Sequence, residues 1–293
     1  MTIKWKDLPF DGPEYDEAQD TLTRQSDINQ MLLCAGRKGY ENTPGFLAMV
    51  SEPLAFGTCT HHLISEDIIH GETQEGLLLS MNDWVDEILV EQYDWSLERV
   101  PNPRDFFSEI TVAYRSWKER VQPTLADSEM LAIEEEQRMF LGEGNKGNIF
   151  LKGTADLVLD DTLVDWKTSG RPWKQSKADF SIQASLYMPL HKQTLNVSLQ
   201  KFTFWVFDRS SGSWSALKTR RTVAQINSAL VTALEFGRQQ EAGVFPCTPV
   251  PEAAFDKKRG WYCKPKFCGA WNICDAKHIN DGFNEKEKAV RSW

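Results

Sequence analysis

The sequence predicts an α/β protein, on three observations. Residues 152–168 (KGTADLVLDDTLVDWKT) alternate apolar and polar positions on both sides of Asp160-Asp161, the pattern of two short strands joined by a turn. Residues 197–208 (VSLQKFTFWVFD) are dense in aromatic and β-branched side chains, a strong strand signal. Windows with helical spacing of apolar residues precede and follow these strands, so helices cover the sheet. At 293 residues and 33.5 kDa the chain suits one large domain, or a domain with an appendage. A composition of 41% hydrophobic and 26% charged residues is that of a soluble globular protein.

No run of about 18 apolar residues occurs, so no membrane span is expected. The opening, MTIKWKDLPFDGPEYDEAQD, has no apolar core of a signal peptide. The expectation is a reducing cytoplasm, where six cysteines serve as ligands or packing residues, not disulfides. A net charge of -9 gives no global attraction for nucleic acid. An enzyme this acidic would meet DNA through a local basic groove and a metal.

In order along the chain, residues 1–20 form an acidic, extended arm. Residues 26–40 start on a Ser26-Asp27 cap signal and continue as a short helix carrying Cys34. Residues 56–69 form a helix with adjacent His61 and His62, and residues 77–95 and 105–120 form two more. Residues 130–140 lead into the sheet as its first strand and are acidic at Glu134 to Glu136; a solvated charge run is the preferred reading there, with a further site carboxylate as the alternative. Residues 174–190 form a helix that ends or kinks at Pro189, placing Gln183 and Tyr187 four apart on one face. After the strand at 197–208 the chain turns at 210–213 towards 214–217. Residues 222–242 form the longest helix, with Val223, Ile226, Leu230, Ala233 and Phe236 on one face and Gly243 ending it.

The chemistry is concentrated in the acidic ribbon. If Asp160 and Asp161 are a two-residue turn, Leu159 lies opposite Thr162, Asp156 opposite Asp165 and Thr154 opposite Lys167. Asp156, Asp165 and Lys167 then share one face, and Ala155, Leu157, Val164 and Trp166 the other. Opposed strand residues have Cβ atoms roughly 5 Å apart, so two carboxylates there repel unless a positive group lies between them. A divalent cation taking one oxygen from each is a natural occupant, with Lys167 beside it. By spacing alone, the same three charges also suit an ordinary solvated face. Thr168, Ser169, Arg171, Lys174 and Lys177 follow, a local edge able to track phosphates. Near the C-terminus, Cys263, Cys268 and Cys274 are spaced C-x4-C-x5-C, a metal signal because neighbouring thiolates reach one ion or cluster without long loop closure. Zinc completed by His278 or plain packing are the alternatives that spacing leaves open; Cys59 and Cys247 read as packing residues.

Asp156 followed by Asp165-Trp166-Lys167 resembles the D…(D/E)-x-K core of the PD-(D/E)XK nucleases. Gly57-Thr58-x-x-His61 resembles a first motif of RecB-like members, and Gln183-x-x-x-Tyr187 their Q-x-x-x-Y motif. Cys34 with Cys263, Cys268 and Cys274 is similar to the one-plus-three cysteine frame of RecB, AddB and CRISPR-adaptation nucleases that hold an iron–sulfur cluster. In that frame a proline usually follows the first cysteine, whereas here Ala35-Gly36 follow. The resemblance implies a restriction-endonuclease-like core, a central mixed sheet flanked by helices, with N- and C-terminal segments joined by a [4Fe–4S] cluster. It further implies Mg²⁺ or Mn²⁺ held by His61, Asp156, Asp165 and the Trp166 carbonyl, with Lys167 orienting or deprotonating water at a depressed pKa. Gln183 and Tyr187 would position the scissile strand.

Expected organisation is therefore an arm (1–20), a helical region with Cys34 and the histidine motif (21–130), the nuclease core (131–245) and a cluster-binding tail (246–293). The expected activity is metal-dependent DNA exonuclease, on single strands or duplex ends, in recombination, repair or phage DNA processing. A compact single module suits a phage-borne enzyme in the host cytoplasm, with a recombination or replication protein as partner. The competing expectation is a cluster- or zinc-bearing DNA-binding or assembly subunit that keeps the fold without catalysis.

Overall fold

The computed structural model describes residues 12–41, 52–71, 76–79, 103–195, 199 and 201–245. Its elements run β1 (Thr21–Arg24), α1 (Gln25–Glu41), α2 (Glu52–His70), α3 (Pro103–Arg120), β2 (Met130–Glu143), β3 (Asn148–Leu159), β4 (Thr162–Ser169), α4 (Gln175–Asp179), α5 (Ile182–Leu195), β5 (Lys201–Asp208), β6 (Ser213–Thr219) and α6 (Val223–Glu241). The described residues fall into two units, one of 52–71, 76–79, 103–139, 152–195 and 201–230, the other of 13–41, 140–151 and 231–245. Most of the helix expected at 77–95 lies outside the described residues; only 76–79 are seen, and they are helical.

The first unit is built on the acidic ribbon. β3 and β4 run antiparallel around Asp160-Asp161, with Leu157 opposite Val164 and Val158 opposite Leu163. This is the expected offset, and carried one residue outward it sets Asp156 against Asp165. β4 then pairs in parallel with β5, Asp165 opposite Phe204 and Lys167 opposite Val206, and β5 pairs antiparallel with β6. Parallel neighbours need a crossover, and α4 and α5 supply it. With β2 also paired to β3, the sheet is mixed, as expected.

The alternation of the ribbon sends its apolar positions into one core. Leu157, Leu159, Val164 and Trp166 pack with Phe56 and Leu63 of α2 and Ile110 and Trp117 of α3. Trp166 is fully buried, its ring edge-on to Trp117 at 6.0 Å and to Trp214 at 6.4 Å. Each buried Phe, Leu or Ile there contributes roughly 1.5–3 kcal/mol. Pro53 sits in the first turn of α2, where a missing N–H costs nothing, and Gly71, in left-handed backbone at φ 60°, closes the helix. Lys118 of α3 donates to both oxygens of the buried Asp67 of α2 at 2.6 and 2.7 Å, fixing how the two helices meet.

The helix expected at 174–190 is two helices, and its break lies at Phe180-Ser181, not at Pro189. Arg221 explains the break: its guanidinium donates to the carbonyls of Ala178 and Ser181, each at 2.8 Å, and its Nε donates to Ser185 Oγ at 2.8 Å. Carbonyls freed at the break thus find a charged donor from a distant part of the chain. Pro189 is carried inside α5 because Gln183 through His191 are all buried, and packing outweighs the lost bond. In α6 the buried stripe is Ile226, Ala229, Leu230, Ala233 and Leu234; Val223, expected on that face, is 46% exposed.

In the second unit β1 pairs with β3. Glu241, in the last turn of α6, accepts the N–H groups of Asn145, Lys146 and Gly147 at 2.5, 2.6 and 3.1 Å, which fixes the β2–β3 turn. Burial acts to raise this carboxyl's pKa, but those three donors hold it below the usual range. α1 is interrupted at Cys34, whose backbone is extended.

Candidate metal and catalytic site

The site side chains come from α2 (His61), β3 (Asp156), β4 (Asp165 and Lys167) and α5 (Gln183 and Tyr187) of the first unit. The period of two on β3 and β4 turns Asp156, Asp165 and Lys167 away from the tryptophan core, as expected. They do not form a solvated face, however: Asp156 is 7% exposed and Asp165 only 2%. α2 and α5 supply the cover. His61, half-buried on α2, places Nδ1 3.4 Å from Asp156 Oδ1. His62, the next residue, is exposed, so the helical rotation presents the first of the two histidines to the ribbon.

Both carboxylates have partners on the ribbon and on α5. Asp156 Oδ2 accepts the Trp166 N–H at 2.5 Å, which ties β3 to β4 where charge is greatest. Asp165 Oδ1 accepts from Gln183 Nε2 at 2.5 Å, and Asp165 Oδ2 lies 2.5 Å from Lys167 Nζ. Gln183 and Tyr187 both lie on α5 against the ribbon, at 7% and 8% exposure. The Tyr187 hydroxyl accepts the Thr154 N–H. Gly153 makes this fit possible: a Cβ there would lie 2.7 Å from Tyr187 Cε1 and 2.9 Å from Leu190 Cδ2.

The electrostatics follow from crowding charges out of water. Burial pushes the Asp165 carboxyl up to about 6, and the Asp156 charge adds to this, while Lys167 opposes it. Burial also acts to raise Asp156, but His61, Lys167 and the Trp166 N–H outweigh it and hold its pKa below the usual range. For His61 and Lys167 burial acts downward, and the facing carboxylates reverse it, so both are raised. Without a cation, Asp165 and Asp156 as its partners favour the Lys167 ammonium; the expected depression belongs to the cation-bound site. Burial and the same two carboxylates raise the Tyr187 hydroxyl.

Glu134, for which a solvated charge was the preferred reading and a further site carboxylate the alternative, is exposed on β2 and lies near His61 and Asp156. One ligand atom each of His61, Glu134 and Asp156 fall within 4.8 Å of one another. Ser65, one turn beyond His61 on α2, donates to Glu134 Oε1 at 3.0 Å. Loss of solvent and the Asp156 charge raise its pKa. Its backbone is left-handed at φ 47°, and no sequence signal marks a non-glycine residue for that conformation. The next glutamate but one, Glu136, pairs with Lys152 and Arg138.

Beside the site, Arg171, Lys174 and Lys177 are exposed. Lys177 Nζ stands 3.8 Å over the Trp173 ring, and burial together with the charge of Lys167 lowers its pKa. Cys34 is half-buried, and Cys263, Cys268 and Cys274 lie outside the described residues, as does Cys247. Cys59 sits in the core, where burial pushes its thiol up to about 12, a packing residue.

An imidazole nitrogen with carboxylate oxygens is a donor set suited to a divalent cation, and these residues fit one. No helix among the described residues is long and apolar enough to cross a membrane. No family model and no curated protein matches the chain. Solved structures similar to it include SSO0001, with a TM-score of 0.36 and 14% identity over 90% of this chain and 89% of that one. LHK-Exo in complex with dAMP is similar with a TM-score of 0.27 and 11% identity, over 73% of this chain and 93% of that one. A further structure of LHK-Exo, an alkaline exonuclease from Laribacter hongkongensis, has a TM-score of 0.25 and 10% identity, over 51% and 85%. At such scores the likeness carries no argument, and the functional reading rests on the site's own residues.

Proposed function

We propose that the protein is a Mg²⁺- or Mn²⁺-dependent DNA nuclease of the PD-(D/E)XK, RecB-like type, acting as an exonuclease on single strands or duplex ends. The observation that carries this reading is the convergence of partly buried His61 and Lys167 on two buried carboxylates, Asp156 and Asp165. Buried charges are paired or hold metal ions, and strongly shifted titratable groups gather at functional sites.

His61, Asp156, Asp165 and the Trp166 carbonyl would hold the cation. When bound, it lowers the pKa of a water and offsets charge building on the scissile phosphate. The chain's own residues do the rest. Lys167 presents a charged Nζ beside Asp165, placed to orient the attacking water and stabilise the phosphate's developing charge. The Trp166 N–H fixes the orientation of Asp156, and Gln183 fixes that of Asp165. Tyr187 seats α5 on the ribbon through Thr154, and with Gln183 sets the surface against which the scissile strand lies. Arg171, Lys174 and Lys177 supply positive charge for the backbone of the approaching strand.

We assign the four-cysteine frame of Cys34, Cys263, Cys268 and Cys274 to a [4Fe–4S] cluster that staples the chain ends. Cys34, half-buried and outside any disulfide among the described residues, suits a ligand. Visible absorption of an anaerobic preparation, with iron and zinc analysis, tests this; zinc without iron contradicts it.

The reaction is tested with end-labelled single- and double-stranded DNA. Cleavage is expected with Mg²⁺ or Mn²⁺, lost with a chelator, and lost in Asp156→Asn. DNA binding without cleavage under all metal conditions would leave a DNA-binding or assembly subunit instead.

A further inference from the structure

We propose that Glu134 is a further side-chain ligand of the cation, grouped with His61 and Asp156 and contributed by a strand that the D…D-x-K pattern does not include. This rests on the reading of the site as a divalent-cation centre. A cation with bonds of roughly 2.0–2.6 Å draws any two of its ligand atoms to within about 5 Å of each other. Among the described residues, the groups that meet this are His61, Glu134 and Asp156, within 4.8 Å of one another.

Three features single out Glu134. First, it is positioned: Ser65 Oγ donates to Oε1 at 3.0 Å, and Ser65 stands on the same face of α2 as His61, four residues away. One helix thus delivers a ligand and the hydrogen bond that aims a second ligand. Next, the neighbouring glutamate on the same side of the run is committed elsewhere: Glu136 pairs with Lys152 and Arg138. Finally, Glu134 interrupts the regular β2 pleat with left-handed backbone at φ 47°, a strained conformation for a non-glycine residue.

The three ligands come from α2, β2 and β3, so the centre would join separate elements of the unit. Asp165 then serves Lys167 as much as the cation, holding the ammonium where the reaction needs it.

The test is calorimetric titration of Mn²⁺ into the full-length protein without DNA, so that its readout is binding and not turnover. Glu134→Gln keeps size and polarity but loses the charge, and affinity is expected to fall at least about tenfold, since even outer partners of metal ligands cost 10–100-fold. Ser65→Ala, which leaves all ligands present, is expected to weaken binding by a smaller factor. Glu135→Gln, an exposed neighbour, should bind as the wild type does. Unfolding midpoints without metal confirm that each variant is folded. Mn²⁺ binding by Glu134→Gln equal to wild type, or no binding by the wild type, overturns the assignment. Binding that depends on Glu134 in a protein that never cuts DNA would sink the nuclease reading and leave the ligand in place. DNA cleavage with unaltered Mn²⁺ binding in Glu134→Gln would do the reverse.

Discussion

Two charged clusters of the first unit are built differently. Around Arg209, whose side chain is 5% exposed, the guanidinium pairs with Glu52 and with Glu109 Oε2 at 2.6 Å and stacks 4.1 Å over Phe56. Burial would lower the Arg209 pKa, but its two carboxylate partners reverse this and keep it charged. A planar fork shared between two acids leaves little for a ligand to add. At the ribbon, Asp156, Asp165 and Glu134 surround Lys167 and His61, and Asp165 is pushed up to about 6. One cluster ties α2, α3 and the end of β5 together. The other retains mutual repulsion that a cation would relieve, and this is where chemistry is to be sought.

Breaking each cluster should therefore give opposite results. Arg209→Ala leaves Glu52 buried without its cation and should cost about 3–5 kcal/mol, read as a large loss in a urea midpoint. A change of under about 1 kcal/mol would show that Arg209 is no keystone. Gly153→Ala comes next. Its Cβ must displace Tyr187 and Leu190, for about 1–3 kcal/mol of stability, and should impair DNA cleavage along with it because α5 lifts from the ribbon. Unchanged stability would mean that α5 is not seated as described.

His191 gives the smallest effect, and one with a sign. It is 1% exposed beneath Tyr187, with neither ring nitrogen hydrogen-bonded among the described residues, and burial lowers its pKa to about 4. The folded protein keeps it neutral while an unfolded chain protonates it near 6.5, so it favours unfolding as pH falls from 6.5 towards 4. His191→Leu should remove that part of the acid sensitivity and be neutral or slightly stabilising at pH 8. A variant that loses stability at pH 8 and keeps the full acid slope would show that the ring is bonded after all.

Much of this arrangement was legible in the sequence because it is local. Period two and a two-residue turn fix the ribbon's register, and with it the shared face of Asp156, Asp165 and Lys167. Helical spacing placed Gln183 and Tyr187 together, and the resemblance separated His61 from His62. What could not be read depends on contacts distant in sequence. The break at Phe180-Ser181 needs Arg221, some 40 residues away, and the tolerance of Pro189 needs a wholly buried α5. Burial of the two aspartates comes from α2 and α5 closing over the ribbon. Three exposed glutamates in a row give no sign of which one would face the site, and the left-handed backbone that sets Glu134 apart is not written in composition.

The central claim is that the ribbon's charges serve catalysis and not the fold, and Lys167→Ala examines it most directly. Unfolding midpoint and Mg²⁺-dependent cleavage of end-labelled DNA are measured on the same preparation. The expected result is a midpoint close to wild type with cleavage reduced at least about 100-fold. Cleavage at the wild-type rate, or a variant that unfolds as Arg209→Ala is expected to, would contradict it.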